Sequence, residues 1–175
     1  HTRTMNANQA ALEIFGGGFA RSGTYVDVGS DASLLEAILK ASPRPEAVYV
    51  GRTGEITAAR ARLAAFKHRC DFVEPGPTLP PGDAMILVNK LEELGDEAAV
   101  ALLSRCRQAL RPHGRVLVIG LLALGPYGAP HPQNAFADLE MLLFTPSGAV
   151  RTEADLRELC TRAGLTVKEY KKSTL

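Results

Sequence analysis

The sequence lacks several features that mark common protein classes. It has no tryptophan and only three cysteines among 175 residues, and no C-x-x-C pair occurs. No apolar run approaches the roughly 18 residues that a membrane span needs, and no signal-peptide pattern opens the sequence. Twenty basic and 19 acidic residues give a net charge of +1, without a basic stripe or a clustered aromatic platform. These absences predict a protein without a membrane or nucleic-acid partner.

The cysteines favour a reducing compartment. Cys106 and Cys160 fall on apolar helical faces, and Cys70 is far from both in sequence. We therefore expect buried structural thiols rather than disulfides or metal ligands, no metal site, and a cytoplasmic location.

A composition that is 46% hydrophobic over 175 residues predicts one packed domain in which apolar strands alternate with helices. The strands are predicted at 24–28, 47–50, 70–73, 84–88, 115–122 and 165–170. The helices are predicted at 33–40, 55–66, 95–110, 134–144 and from a capping box at 152–155 to Gly164. Near-continuous apolar strands indicate an α/β fold with a mostly parallel sheet and helices on both faces.

The segment from Val26 to Ser33, where the first strand runs into a turn and then a helix, is the most informative. It retains one glycine, Gly29, where a cofactor loop in such a fold needs several. Asp31 stands where a close-packed glycine is expected. The sequence thus combines a nucleotide-type fold with an altered loop.

Several segments resemble one family in order and spacing. Residues 26–29 look like its V-D-V-G-G-G-x-G, residues 89–97 like N-V-L-H-D-W-D-D-E, residues 111–118 like P-x-G-R-L-L-V, and residues 138–142 with 151–156 like D-L-x-M-L…R-T-E-x-E-F. The family comprises the SAM-dependent O-methyltransferases of natural-product pathways, and the resemblance is to their C-terminal catalytic domain. It implies a Rossmann-like methyltransferase fold, with the final antiparallel strand falling beyond this sequence.

The resemblance also implies which cofactor contacts have changed. The family's loop has glycines at the positions of Ser30, Asp31 and Ser33, and its ribose-binding acid aligns with Gly51. Its adenine segment is replaced by Glu74-Pro75-Gly76-Pro77, and a lysine aligns with Val88. The resemblance implies four vestigial cofactor positions: Asp27, Gly29, Asp31 and Gly51. For Asp27 the alternative is a structural role, in which its carboxylate only accepts hydrogen bonds from loop amides.

The family's catalytic positions have changed as well. Its histidine base aligns with Glu92, and the two acids that orient that base align with Gly120 and Val150. Glu92 and Glu93 are the candidate catalytic residues if burial raises one pKa; the alternative is a solvated helix start. Three isolated histidines are expected at the surface or as caps: His68, His113 and His131.

Residues 1–22 are predicted to form a lead-in helix and linker, and residues 23–175 the methyltransferase-like domain. The family's N-terminal dimerisation domain is not in this sequence, which fits either an excised domain or a trimmed relative. We expect another domain or subunit to take its place as a partner.

Two functional hypotheses follow. In the first, SAM binding is lost, no cofactor is used, and the domain is a docking module or a repurposed cyclase, dehydratase or isomerase acting on a polyketide-like molecule. Asp31, Glu92 and Glu93 would then be the residues to mutate. In the alternative, the domain is an active SAM-dependent O-methyltransferase with an atypical cofactor loop.

Overall fold

The structure is a computed structural model that describes residues 23–120 and 151–167. These residues form two compact units. The first comprises residues 23–87 with 109–119, and the second comprises residues 88–108 with 120 and 151–167. The lead-in segment, the predicted helix at 134–144 and His131 lie outside the described residues.

A five-stranded sheet is the centre of the first unit. Its strands are β1 (Gly23–Val28), β2 (Pro45–Val50), β3 (Cys70–Val73), β4 (Gly82–Val88) and β5 (Leu110–Ile119). Their order across the sheet is β3-β2-β1-β4-β5. The β1–β2, β1–β4 and β2–β3 pairs are parallel, which confirms the predicted mostly parallel α/β sheet.

Strand β1 lies where the strand order changes direction. Val26 pairs in register with Val48 of β2 on one side and with Met85 of β4 on the other. Val26 and Met85 are fully buried, as expected for an apolar strand between two neighbours. In open α/β sheets, ligands bind beyond the carboxyl ends of the strands at such a switch point.

Two helices follow β1 and β2 in the first unit. Helix α1 (Ser33–Ala41) buries Leu34, Leu35, Ile38 and Leu39, the i, i+1, i+4, i+5 spacing of one apolar helical face. Helix α2 (Thr53–Arg62) is shorter than predicted, because the chain continues as a 3-10 helix over Ala64–Arg69. The Arg69 guanidinium fixes that segment through bonds to three main-chain carbonyl groups, those of Leu39, Ser42 and Pro45.

The second unit contains a 3-10 helix (Leu91–Glu93), α3 (Asp96–Ala109) and α4 (Glu153–Arg162). The predicted capping box is confirmed: Thr152 Oγ1 accepts from Asp155 N, and an Asp155 carboxylate oxygen accepts from Thr152 N. These bonds lower the pKa of the Asp155 carboxyl. Gly164, with φ 79°, follows the helix end as predicted.

One strand prediction was wrong in its bounds, and a second is tested only in part. The strand expected from Arg115 begins at Leu110 and includes His113, whose φ is 64°. Of the strand expected over 165–170, Leu165–Val167 are not in a strand, and residues 168–170 lie outside the described residues. Leu165 N instead bonds to Cys160 O at 2.8 Å, so this segment closes the end of α4.

The thiol predictions are confirmed for the second unit. Cys106 and Cys160 are buried and free, and Cys70 is half-buried and free. Burial raises the pKa of Cys106 to about 12. None of the helices in the described part of the chain has the length and apolar character that a membrane crossing requires.

Candidate functional site

The turn between β1 and α1 is closed by hydrogen bonds among its own residues. Asp27 is fully buried and accepts from Ser30 N at 3.1 Å and from Ser30 Oγ at 2.6 Å. Ser30 Oγ in turn accepts from Ala32 N at 2.9 Å. Gly29, with φ 71°, and Ala32, with φ 62°, are both left-handed, which costs a non-glycine residue about 1–2 kcal/mol. The Ser30 side chain therefore stabilises a turn that carries strain at Ala32.

Asp31 completes this internal pairing. Its Oδ1 accepts hydrogen bonds from Ser33 N at 3.0 Å and from Ser33 Oγ at 2.5 Å. As a result, the amides of Ser30, Ala32 and Ser33 all have side-chain partners within the turn. Amides at a helix start usually attract an anionic ligand group; here such a group would meet paired amides and the exposed Asp31 carboxylate.

Tyr49 ties the turn to the neighbouring strand. Its ring is buried in β2, and its hydroxyl donates to Ser30 O at 2.5 Å. Burial, and then the nearby Asp27 charge, raise the pKa of Tyr49. The hydroxyl therefore stays protonated and keeps its role as a donor at neutral pH.

Gly51 lies directly after β2 in a space that admits no side chain. A Cβ atom there would lie 2.7 Å from Tyr49 Cε1 and 3.2 Å from Glu55 Oε2. Gly51 N also donates to Val73 O at 3.1 Å, which fixes the backbone. The position that aligns with a ribose-binding acid is thus closed to any residue larger than glycine while Tyr49 keeps its place.

Two carboxylates lie near the start of α2: Glu55 in its first turn, and Glu74 directly after β3. Glu55 Oε2 accepts from Arg52 N at 2.7 Å, as the first-turn acid of a capping arrangement does. Glu74 accepts from Thr53 Oγ1 at 2.8 Å. The segment Glu74–Pro77, which aligns with the family's adenine segment, is therefore hydrogen-bonded to the start of α2 through Glu74.

In the second unit, Glu92 lies against Gly120. A Cβ atom on Gly120 would fall well inside van der Waals contact with Glu92 Oε1 and 2.8 Å from Glu92 Cδ. The carboxylate at 92 therefore occupies the space that a side chain at 120 would need. Glu93 is 60% exposed and lies 3.5 Å from Lys90 Nζ, so the two adjacent glutamates lie against different neighbours.

Arg151 fixes the segment that carries Glu92. Its side chain is 6% exposed and donates to Leu91 O at 2.5 Å and to Leu94 O at 2.6 Å. It also donates twice to Asp96 Oδ1, at 3.1 and 3.0 Å. One guanidinium thus bonds to the main chain on both sides of Glu92.

The sequence-predicted site residues form two sets. The set in the first unit comprises Asp27, Gly29, Asp31 and Gly51. The first three share one turn, and Tyr49 connects that turn to the end of β2. The second set comprises Glu92 and Glu93, of which Glu92 faces Gly120. His68 and His113 are exposed, as predicted. No group of metal-ligating side chains occurs among the described residues.

Sequence reasoning missed three residues of the site, Tyr49, Glu55 and Arg151, and it identified Ser30 only as a changed glycine position. A polar residue inside an apolar strand could have drawn attention to Tyr49. Arg151 bonds to carbonyl groups 57 and 60 residues away, a distance over which no local pattern gives a signal.

A family model described as an O-methyltransferase domain matches residues 3–166. The chain belongs to this O-methyltransferase family. The O-methyltransferase domain is 35% identical over 170 residues to the O-demethylpuromycin-O-methyltransferase of Streptomyces alboniger, which covers 93% of this chain and 44% of that protein.

Solved structures resemble the O-methyltransferase domain as well. CalO1, a methyltransferase of calicheamicin biosynthesis in its SAH-bound form, matches with a TM-score of 0.76 at 30% identity, over 96% of this chain and 50% of that one. NcsB1 of neocarzinostatin biosynthesis, in complex with SAH and 1,4-dihydroxy-2-naphthoic acid, matches with a TM-score of 0.73 at 28% identity, over 95% of this chain and 52% of that one. These matches confirm the Rossmann-like methyltransferase fold. The O-methyltransferase domain spans about half the length of these relatives or less.

The described residues meet part of what a SAM-type cofactor needs. Gly29 has the left-handed backbone that allows close approach of a ligand, and Glu55 offers a carboxylate at the end of β2. The amides of the β1–α1 turn do not fit the amino-acid carboxylate of such a cofactor in their present arrangement, because they already have side-chain partners. An amino-acid carboxylate could bond to Ser33 N only after the Asp31–Ser33 contact opens.

Proposed function

We propose that the chain is a SAM-dependent O-methyltransferase domain with an atypical cofactor loop, acting on a hydroxyl group of an aromatic or polyketide-like small molecule. The family match over residues 3–166 supports this over the hypothesis in which SAM binding is lost. So do the relatives, an O-demethylpuromycin-O-methyltransferase and a methyltransferase of calicheamicin biosynthesis in its SAH-bound form. The structural observation that carries it is the left-handed Gly29 after the central strand β1, which leaves the backbone open to a cofactor.

SAM, when bound, supplies the methyl group. Of the chain's own residues, Glu92 is the one that we assign to the acceptor's proton: its carboxylate would accept the proton that leaves the acceptor hydroxyl group. Gly120 leaves room for that carboxylate, and Arg151 is a positioning residue that acts through the main chain at Leu91 and Leu94. Glu93 has a lesser part, because it is exposed and lies near Lys90.

A second candidate function is favoured by the closed turn. Asp27, Ser30 and Asp31 already satisfy three turn amides, so these amides do not need a ligand as a hydrogen-bond partner. That state suits a domain that uses no SAM, either a docking module or a repurposed cyclase, dehydratase or isomerase.

Calorimetric titration of the purified chain with SAM and SAH separates the two functions. The methyltransferase proposal expects binding in the micromolar range or weaker, with a measurable heat; no heat at millimolar ligand would leave the second candidate. Asp31→Ala sharpens the test, because it frees Ser33 N and removes the carboxylate. We expect this variant to bind SAM about tenfold more tightly.

Asp71→Ala is the matched control, since it removes an equally exposed carboxylate of the same unit without touching the turn. Equal SAM affinity in both variants would contradict the role given to the closed turn. We further propose that another domain or subunit completes the acceptor pocket, because the relatives are about twice as long.

A further inference from the structure

The Glu55 carboxylate lies at the carboxyl end of β2, beside the glycine that follows the strand. Glu55 Oε2 is 3.2 Å from the point where a Cβ atom of residue 51 would lie. In doubly wound sheets, a carboxylate at the end of the second strand accepts hydrogen bonds from ribose hydroxyls. Glu55 therefore places a carboxylate at the carboxyl end of β2, although the residue itself belongs to helix α2.

Residue 51 itself cannot supply that group. Any side chain there would collide with Tyr49 Cε1 at 2.7 Å, and the Tyr49 ring is held by burial and by its hydroxyl bond to Ser30 O. Displacing the ring would break that bond. The glycine at 51 thus leaves room on both sides, for Tyr49 and for Glu55.

Glu55 is also held in place before any ligand arrives. Its Oε2 accepts from Arg52 N at 2.7 Å, and the residue is half-buried in the first turn of α2. This bond uses one carboxylate oxygen, and within the described part of the chain Oε1 has no hydrogen-bond partner. A carboxylate that is fixed through one oxygen can accept a hydrogen bond from a hydroxyl group with its other oxygen.

We propose that Glu55 is the acceptor for the ribose hydroxyl groups of SAM in this chain, in place of a residue at position 51. The inference rests on the proposed function, because it requires a nucleoside ligand at this edge of the sheet. It adds a specificity-determining residue: Glu55 would select a ribose over a deoxyribose.

The test compares SAH binding by the wild-type chain and Glu55→Gln in calorimetry. Glutamine keeps an oxygen for Arg52 N but loses the charge, so we expect SAH affinity to fall by about tenfold to a hundredfold. As a second readout, adenosine, 2′-deoxyadenosine and 3′-deoxyadenosine compete with SAH. The wild-type chain should prefer adenosine, and Glu55→Gln should lose that preference.

Asp155→Asn is the matched control, because Asp155 accepts from Thr152 N in the same kind of capping arrangement at α4. It should lower the unfolding midpoint as Glu55→Gln does and leave SAH affinity unchanged. Unchanged SAH affinity in Glu55→Gln, or a retained preference for adenosine, would overturn the role of Glu55 and leave the methyltransferase proposal standing. A wild-type chain that gives no heat with millimolar SAH would overturn both.

Discussion

Replacing Arg151 by methionine should be among the most destabilising single changes in the second unit. The guanidinium is 6% exposed and bonds to Leu91 O, Leu94 O and Asp96. Methionine keeps most of the apolar stem, so the change removes mainly hydrogen bonds. Leu91 and Leu94, which lie on the two sides of Glu92, then lose their hydrogen bonds from the guanidinium.

The magnitude follows from the partners left behind. Loss of the guanidinium costs Leu94 O about 1–3 kcal/mol, the range for a buried carbonyl that loses its partner. Leu91 O keeps its bond from Leu94 N at 3.2 Å, so the loss there is one hydrogen bond, about 0.5–1.5 kcal/mol. Leu94 is less buried than Leu91, so water can replace part of the first loss, and we expect about 1.5–3 kcal/mol in total. The Asp96 side chain is 68% exposed, and its ion pair should therefore contribute at most about 1 kcal/mol.

Urea denaturation of four chains measures these contributions: wild type, Arg151→Met, Asp96→Asn and the double variant. Arg62→Met is the control for the substitution itself, because Arg62 forms an exposed pair with Glu36 at 3.3 Å. That pair should be worth about 0.2–1 kcal/mol. A cost below about 1 kcal/mol for Arg151→Met would refute the reasoning. So would an Asp96→Asn cost as large as that of Arg151→Met, because the exposed ion pair would then carry the energy.

Four further predictions concern the other contacts. Gly51→Ala puts a methyl group 2.7 Å from the Tyr49 ring and should cost about 1–3 kcal/mol in urea denaturation. Folding raises the pKa of Tyr49, so the unfolded chain loses the hydroxyl proton first and the stability of the fold should decrease above pH ~10. Thermal melts of Tyr49→Phe should show a smaller decrease over that pH range. The same decrease in the variant as in the wild type would contradict this role of Tyr49. Gly120→Ala should displace the Glu92 carboxylate and lower methyl transfer about 10²-fold or more, as Glu92→Gln does, with little change in the unfolding midpoint. Cys106, whose pKa burial raises to about 12, should resist a disulfide thiol reagent at pH ~8 until the chain unfolds.

The sheet was predictable because its signals are local. Apolar runs bounded by glycine, proline and charged residues gave β1 to β4 within two residues of their observed starts, and β3 at Cys70–Val73 without error. The end of α2 was missed because the chain from Ala64 to Arg69 keeps a helical composition but turns as a 3-10 helix. Arg69 holds it by bonds to carbonyl groups that precede it by 24 to 30 residues.

The site was less predictable because its chemistry depends on side-chain directions. The lost glycines at Ser30 and Asp31 were visible in the sequence, and they suggested a dismantled loop. The sequence could not show that both side chains bond to the turn's own amides. Likewise, the missing acid at Gly51 was visible, whereas the approach of Glu55 to the same point depends on how α2 leaves β2.

Glu92 and Gly120 limit how this site can be redesigned. In the present conformation, a side chain at 120 and the carboxylate at 92 compete for one volume. A library that restores an acidic residue at 120 first would pass through a crowded intermediate and would be depleted at that step. Shortening residue 92 first opens the space for a side chain at 120, but it also removes the carboxylate that we assign to the acceptor's proton. The two positions are therefore coupled, and neither can be changed without an effect on the other.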